Sequence, residues 1–373
     1  MAFLLGLSMI PAAYAGPDDP AKPVPDPMLG APQPRSEFYV KVNSGAVFFR
    51  PPEKDNSNFA EAVNLPAPAG KADGVTSVGS QTGNATAASI GATLGFLLAA
   101  QPAESWMGLN LRAEVSGNYF QTVNTQNAGV SVNPGGIFTT VGRLDGNYTG
   151  TNQSTDIGSL TAGPNPVANE TLTTRDEFYQ VSAAFKTDYI FDHGQLVLSP
   201  ILGFGYSHLT QNFNTTAAGN RGSINQQETI DTNYFGPKFG LECKVQLAKD
   251  FVYYAEGEMS PLYAFSDYSG TQNGSSTRFG GGSGPNSATD SQNSFAFKAG
   301  LTTGFYYDFG PVILKVGGGF EYWNYVATVQ ESTIPSGVNT LGGAPAPFTL
   351  RPSHLASSDM LNPEVNTSVI VPF

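Results

Sequence analysis

Apolar and polar residues alternate along most of this chain, and this period of two restricts its fold more than any other feature. The clearest segment begins at Met107, where apolar side chains occupy odd positions to Val115 and polar ones occupy even positions from Asn110 to Ser116. Such alternation places the two sets on opposite faces of a β-strand. The body of the chain has no run of about 18 apolar residues, which a membrane-spanning helix would need. The pattern therefore predicts an all-β protein.

The composition narrows the class of β protein. Charged residues make up 13% of the 373 residues, against roughly 25% in soluble globular domains. Aromatic residues reach 12%, which is typical of a membrane barrel or a large secreted β protein. The formal charge of −12 argues against a nucleic-acid partner. Cys243 is the single cysteine, so an intramolecular disulfide is excluded, and we expect this residue to lie on the apolar face.

The final segment, residues 365–373, is also amphipathic and ends on an aromatic residue. Its apolar parity holds Val365, Thr367, Val369, Val371 and Phe373. Here the chain resembles bacterial outer-membrane β-barrel proteins, which commonly finish on an amphipathic strand with a terminal Phe that the assembly machinery reads. A closing strand suits a barrel, because a sheet in lipid cannot leave an open edge. Pro372 departs from the usual penultimate residue.

The resemblance covers residues 36–373 and rests on architecture rather than on a family motif, so no functional residues are carried over. It implies a location in the bacterial outer membrane. It also implies contact with the lipid bilayer, with lipopolysaccharide and, through Phe373, with the barrel-assembly machinery. The resemblance is also compatible with a homo-oligomer.

The order of the amphipathic segments predicts a transmembrane antiparallel up-and-down β-barrel of about ten strands. Long polar connections alternate with short turns, as in barrels that have short periplasmic turns and long extracellular loops. The predicted loops are about 51–83, 122–175, 212–232, 269–293 and 330–362. The alternative is a barrel of twelve strands, in which residues 122–175 contribute two more.

The segment that precedes the barrel predicts export. An apolar run from Phe3 to Ile10 is followed by Ala13, Tyr14 and Ala15, a small-x-small cleavage site. We therefore expect a signal peptide at 1–15, a Pro-rich periplasmic linker at 16–35 and the barrel at 36–373.

The bulky apolar parity is expected to face lipid, and the polar parity to face the lumen, because a ten-stranded barrel is too narrow to enclose the aromatic set. The charged residues expected to line the lumen are Lys41, Arg112, Glu114, Lys186, Asp188, Lys238, Glu242, Lys244, Glu256, Glu258, Lys298, Asp308, Lys315 and Glu321.

Buried charges must be paired or solvated, so we expect ion pairs among these residues. Adjacent strands allow Arg112 and Glu114 to pair with Lys186 and Asp188, Lys244 with Glu256 or Glu258, and Lys298 with Glu258 or Lys315 with Asp308. These charges would either form a plug or line a thin aqueous path.

Three functions are compatible with these features. The leading hypothesis is a porin-like channel for small solutes or ions with a narrow, charge-lined lumen. The alternative is a surface-exposed adhesin or structural barrel with functional extracellular loops and a closed lumen. A third is an omptin-like protease that uses His208 with Asp231 or Asp267, although the parity of His208 faces outward. Cys and His have no metal-ligand spacing, and we expect no cofactor and no enzymatic activity.

Overall fold

The computed structural model describes residues 38–49, 60–63, 75–78, 85–101, 107–131, 137–139, 144–145, 147–148, 159–162, 167–191, 195–219, 222–276, 286–331, 348–349 and 351–373. The predicted signal peptide at 1–15 and linker at 16–35 lie outside these residues. The described part contains no helix that is long and apolar enough to cross a membrane.

Ten antiparallel strands form a closed barrel, which confirms the predicted fold class and strand number. They are β1 (Phe38–Phe49), β2 (Ala85–Gln101), β3 (Met107–Ser131), β4 (Val167–Phe191), β5 (Leu196–Gly219), β6 (Gly222–Ala248), β7 (Phe251–Ser276), β8 (Asn286–Asp308), β9 (Ile313–Gln330) and β10 (His354–Pro372). Each strand pairs with its neighbours in the chain, and β1 pairs with β10.

The twelve-strand alternative is wrong. Between β3 and β4, the short strands Ile137–Thr139 and Ser159–Ala162 pair with each other. They belong to a separate four-stranded sheet with Ala60–Val63 and Val75–Val78, outside the barrel.

The first and last strands close the barrel. Their register runs from Tyr39 opposite Pro372 to Val47 opposite Glu364. At the end of the seam the Phe373 N–H donates to the Phe38 carbonyl oxygen at 2.9 Å. The Phe38 ring lies 5.7 Å from that of Phe373. Pro372 therefore occupies the last position of the strand, where one missing donor costs little.

The outside of the barrel carries a belt of apolar side chains between two aromatic girdles. The upper girdle, on the side of the long connections, consists of Tyr119, Tyr179, Tyr206, Phe235, Phe265, Phe295 and Tyr322; the lower one includes Tyr189, Tyr253, Tyr307 and Phe309. None of the described outward-facing residues between the girdles is charged. On β4 the girdles are about 11 residues apart, which matches the roughly 9–11 residues that a tilted strand needs to span a bilayer. We call this part of the barrel the ring.

Six strands, β3 to β8, continue far beyond the upper girdle and form what we call the wall. They are 23–27 residues long. Pairing of β3 with β2 stops at Phe120 opposite Ser89, and pairing of β8 with β9 stops at Lys298 opposite Trp323. Above these points the sheet of β3 to β8 is no longer closed by β2 and β9.

The wall corrects several predicted loops. Residues 122–131 and 167–175 belong to β3 and β4, and much of 269–293 belongs to β7 and β8. The predicted loop 212–232 is paired strand, with only residues 220 and 221 between Gly219 and Gly222. The closing strand starts at His354, inside the predicted loop 330–362. Most outward residues of these segments are polar, because their outer face meets water rather than lipid.

The polarity of the outer face changes at the upper girdle. In the ring the outward side chains are apolar, as Phe185 and Phe239 are, and the charged side chains face inward. In the wall the outward side chains are largely polar, and the buried inward ones are mixed, with Leu172 and Phe213 beside polar residues such as Gln226. The wall therefore has a water-facing exterior and an interior of both apolar and polar side chains.

Candidate functional site in the barrel lumen

The predicted lumen charges all lie on the inward parity of the ring, and most meet in one layer. Asp308 is the exception, because it lies at the short-turn end of β8. There its carboxylate accepts a hydrogen bond from the Gly310 N–H at 2.7 Å, and Gly310 adopts a φ of 93°. Asp308 thus shapes a turn and does not pair with Lys315, contrary to our expectation.

Arg112 and Asp188 form the expected pair across β3 and β4. Arg112 Nη2 lies 2.6 Å from Asp188 Oδ1, and Ser199 donates to the same oxygen at 2.6 Å. Arg112 Nη1 lies 3.9 Å from Glu114 Oε1. The Glu114 carboxylate also accepts a hydrogen bond from the Tyr39 hydroxyl. The positive charge of Arg112 is therefore balanced on two sides.

Glu242, which is fully buried, is the centre of a second group. Its carboxylate pairs with Lys186 on β4 and, at 3.0 Å, with Lys244 on its own strand. The Tyr306 hydroxyl donates to it at 2.8 Å. The prediction that Lys244 pairs with Glu256 or Glu258 is wrong. Lys186 reaches over β5 to Glu242, so this contact does not follow the strand ladder.

Three further lysines also have carboxylate partners. Lys238 lies 2.5 Å from Glu258, Lys298 lies 2.5 Å from Glu321, and Lys315 lies 3.4 Å from Glu256. The predicted pair of Lys298 with Glu258 is therefore wrong. Strand tilt and stagger set which inward residues share a height, and these offsets cannot be read from the sequence alone.

A polar cavity of about 240 Å³ lies within this layer. Its lining includes Lys41, Lys238, Glu258 and Glu364. Such a space holds several water molecules. Sequence reasoning missed Glu364, although its position on the polar parity of β10, with Asn366 and Ser368, could have revealed it.

An apolar floor lies below the charged layer, toward the short turns. It consists of Tyr39, Val197, Val252, Tyr254, Tyr306, Ile313 and Ile370, all buried. Lys315 Nζ lies 4.0 Å from the centroid of the Tyr254 ring, so this cation also packs on an aromatic face. The floor narrows the lumen at its periplasmic end.

A second apolar layer lies above the charges, at the height of the upper girdle, and we call it the septum. All ten strands contribute a buried side chain to it: Phe49, Ala87, Phe120, Phe178, Leu209, Tyr234, Leu262, Ala296, Trp323 and Met360. Because every strand takes part, this layer extends over the whole cross-section of the barrel.

Aromatic contacts bridge the septum from one side of the barrel to the other. The ring centroids of Phe49 and Phe120 are 5.3 Å apart, and those of Phe120 and Phe178 are 5.0 Å apart. Trp323 completes the bridge, with centroids 5.9 Å from Phe178 and 4.8 Å from Tyr234. Strands β4 and β9, which carry Phe178 and Trp323, are opposite each other in the ten-strand order. Side chains from opposite sides of the barrel therefore meet inside the lumen at this height.

A buried polar layer follows directly above the septum. Asp176 is 1% exposed, and its Oδ2 accepts a hydrogen bond from Thr122 at 2.9 Å. Burial raises the pKa of Asp176 to about 7. Gln211, fully buried, is the cross-strand neighbour of Asp176 on β5. Sequence reasoning assigned Asp176 no role. The apolar residues of β4 lie at even positions in Leu172 and Phe178 and at odd positions from Tyr179 and Val181 onward, and this change could have shown that Asp176 faces the interior.

Comparison with known proteins identifies the class of barrel. Residues 83–357 match the family described as the Legionella pneumophila major outer membrane protein precursor. The chain belongs to this family. It is accordingly a protein of the bacterial outer membrane, which confirms the predicted location. No curated protein matches this family member.

Solved structures share little sequence with this family member. The outer membrane protease OmpT from Escherichia coli is 11% identical, with 91% of this chain and 97% of that chain covered and a TM-score of 0.38. The transport unit of the autotransporter AIDA-I from Escherichia coli is 8% identical, with 89% of each chain covered and a TM-score of 0.26. The toluene transporter TodX of Pseudomonas putida is 7% identical, with 91% of each covered and a TM-score of 0.21. At these scores the likeness carries no argument about activity.

His208, the residue of the protease hypothesis, lies on the outer face of the barrel. Its Nδ1 lies 2.9 Å from Asn233, its Nε2 lies 2.9 Å from Thr210, and Asp231 is 3.6 Å from Nε2. Asp267 is the cross-strand neighbour of Asp231 on β7, also on the outside. The described residues bring no acidic pair and histidine together in the lumen. They also include no group of three or more His, Cys, Asp or Glu that could hold a metal ion.

Proposed function

We propose that this family member works at the cell surface as a barrel with a closed lumen, whose wall and extracellular loops are the functional parts. The septum is the observation that carries this proposal. Its aromatic bridge from Phe178 through Trp323 to Tyr234 crosses the lumen at one height. The floor obstructs the lumen at a second height. The proposal assigns no catalytic role to the chain.

The pairing of the charges below the septum supports a plug rather than a selectivity path. A channel attracts ions with groups that are free to exchange partners with the ion. Here Glu242 is already held by Lys186, Lys244 and the Tyr306 hydroxyl. Removing a partner from such a group is costly, which favours a static interior.

A narrow channel for small solutes is the second candidate. The polar cavity of about 240 Å³ favours it, since a plug needs no enclosed polar space. In this case the septum would act as a gate, and rotation of Trp323 away from Phe178 would join the cavity to the space above it.

The terminal residue supports the proposed contact with the assembly machinery. Phe373 is 68% exposed at the end of β10 and projects from the lower edge of the ring. An accessible aromatic terminus is what a receptor on the periplasmic side would need.

Conductance across a planar bilayer tests the proposal. We expect the wild-type barrel to show no channel steps and the double variant Phe178→Ala, Trp323→Ala to conduct, because the variant empties the septum. Phe185→Ala, which removes an outward ring from the same strand as Phe178, is the matched control and should stay silent. Wild-type steps that change in Lys238→Ala or Glu258→Ala would refute the closed lumen and establish the channel.

The role of the surface is tested separately. Deleting residues 132–166, which connect β3 and β4, should leave the barrel folded, because the barrel strands flank this segment. We expect the deletion to abolish binding to host cells or matrix. Unchanged binding would show that the working surface lies elsewhere or that the lumen is the functional part.

A further inference from the structure

The outer face of the wall carries a regular array of uncharged polar side chains. One cross-strand row consists of Thr125, Thr173, Asn214, Gln227 and Thr271, on the five adjacent strands β3 to β7. All five point outward and are at least partly exposed. Every member presents a hydroxyl or an amide, and none carries a charge. We call this row and the one above it the array.

The second row repeats the chemistry of the first. It consists of Asn127, Thr171, Thr216, Asn225 and Asn273, on the same strands two residues farther from the membrane. Strands in a sheet are about 4.8 Å apart, and alternate residues on one strand are about 7 Å apart. The array is thus a lattice of hydroxyl and amide groups at fixed spacing.

Hydrogen bonds between neighbouring members orient the array. Thr171 Oγ1 donates to Asn127 Oδ1 at 2.7 Å, and the Oγ1 atoms of Thr125 and Thr173 lie 3.3 Å apart. Side chains that are held by their neighbours lose less conformational entropy when a ligand binds. The array is therefore preorganised for a ligand that offers many hydrogen-bonding groups.

The chemistry of the array selects the class of ligand. Hydroxyls and amides both donate and accept, as the hydroxyl groups of a sugar require. The array has no cation to attract phosphate or carboxylate, because Arg175 lies below it and is paired with Glu177. A broad β-sheet face also fits an extended chain of sugar rings. An uncharged saccharide meets these conditions.

The position of the array selects the source of the saccharide. On β4, Thr173 lies six residues before Tyr179 of the upper girdle, on the extracellular side of it. Six residues of a tilted strand cover about 15 Å along the barrel axis. The lipid acyl chains end at the girdle, so the neighbours of the array in the outer leaflet are the sugars of lipopolysaccharide. We propose that the array binds the uncharged sugars of lipopolysaccharide molecules in the same membrane.

This binding does not depend on whether the lumen is closed. Sugars held against the wall would surround β3 to β7 with lipopolysaccharide and anchor the protein at a fixed depth. The conductance test and the binding test below can therefore fail independently.

Binding of two probes to the purified barrel in detergent tests the proposal. The probes are intact lipopolysaccharide from the same bacterium and the lipid A that mild acid releases from it, which lacks the core and outer sugars. We expect wild-type protein to bind intact lipopolysaccharide at least 10-fold more tightly than lipid A. Equal affinity for the two probes would overturn the proposal.

The triple variant Thr125→Val, Thr173→Val, Thr271→Val removes three hydroxyls without changing side-chain size or strand preference. We expect it to bind intact lipopolysaccharide at least 10-fold more weakly than wild type and lipid A equally well. Ser357→Ala on β10 is the matched control, since it removes an exposed hydroxyl outside the array, and it should change neither affinity.

The pair Asn214→Asp, Gln227→Glu is a second variant, which keeps shape and adds charge to the same row, and it should weaken binding in the same way. If both variants fold, as judged by heat-modifiable mobility, and bind both probes like wild type, the proposal is wrong. A change in oligomeric state with unchanged lipopolysaccharide affinity would instead assign the array to a contact between two copies of the chain.

Discussion

The ring and the wall are built from the same strands but solve opposite solvation problems. In the ring, lipid covers the outside, so apolar residues face outward and paired charges fill the inside. In the wall, water covers the outside, so polar residues face outward, and the inside holds apolar and buried polar residues together. The backbone alternation continues across the boundary, and only the identity of the residues on each parity changes. The comparison teaches that the solvent on the outer face decides whether the outward parity of a strand is apolar or polar.

The boundary between the two regions also coincides with the septum, at the height of the upper girdle. Below the septum the interior holds paired charges. Above it the interior holds apolar residues together with buried polar ones such as Asp176. The closed lumen that we propose would arise at this change of interior.

The largest expected effect concerns the interior of the ring. Glu242→Leu leaves Lys186 and Lys244 buried without their shared carboxylate, so we expect a loss of about 3–5 kcal/mol in the free energy of unfolding. Urea unfolding of the barrel in lipid vesicles measures it.

Glu177→Leu is the matched control in the wall, where the carboxylate is partly exposed and pairs with Arg175. We expect a change of at most about 1 kcal/mol, as for other exposed pairs. Equal losses for the two variants would show that the interior charges of the ring are no more important than surface charges.

A charge introduced on the outer face should destabilise the ring much more than the wall. Phe239→Lys places an ammonium group in the lipid belt of β6, so we expect a loss of about 2–4 kcal/mol. Thr229→Lys lies on the same face of the same strand above the girdle, and its effect should stay within about 0.5 kcal/mol. Unfolding in vesicles again provides the measurement, and a costly Thr229→Lys would place the wall in lipid.

The interior above the septum should make stability depend on pH. The folded-state pKa of Asp176 is about 7, above its ordinary value of 3.8, so the folded protein holds a proton that the unfolded chain has already released. Stability should therefore fall as pH rises toward and past 7, by about 2 kcal/mol between about pH 5.5 and about pH 8. In Asp176→Asn this loss should disappear. A wild-type curve that coincides with that of the variant would mean that Asp176 is ionised in the folded state.

The smallest expected effect uses two valines on the outer face of β3. Val115 lies in the belt and Val123 lies in the wall, both exposed on the outside of the barrel. Val115→Thr puts a hydroxyl into lipid and should cost about 1 kcal/mol. Val123→Thr should be neutral within about 0.5 kcal/mol, because water solvates the hydroxyl. A reversed order in the unfolding free energies would contradict the boundary between the regions.

Sequence reasoning succeeded where one solvent rule applied throughout. In the ring, alternation alone assigned Leu109, Phe239 and Leu301 to the outer face and Lys186 and Glu242 to the interior, and the structure agrees. It failed in the wall because the same rule, outward apolar, was applied there. The inward apolar residues Phe178 and Leu172 lie at even positions, whereas the outward apolar residue Val181 lies at an odd position. This shift of the apolar pattern by one residue was therefore interpreted as the end of a strand.

The partners of the lumen charges were predictable only in part. Arg112 and Asp188 lie on adjacent strands, and the sequence suffices to pair them. Lys186 and Glu242 are separated by β5 and meet through the narrow lumen. Such a contact depends on barrel radius and stagger, which no local pattern encodes.

Depth-dependent quenching along β6 tests the change of polarity on the outer face most directly. In a Cys243→Ser background, single cysteines are introduced as Thr229→Cys and Leu241→Cys, labelled with a fluorophore and exposed to brominated lipids in vesicles. We predict strong quenching at 241 and none at 229, although both positions lie on the same face of one strand. Equal quenching at the two positions would contradict the account, because lipid would then cover the wall as well as the ring.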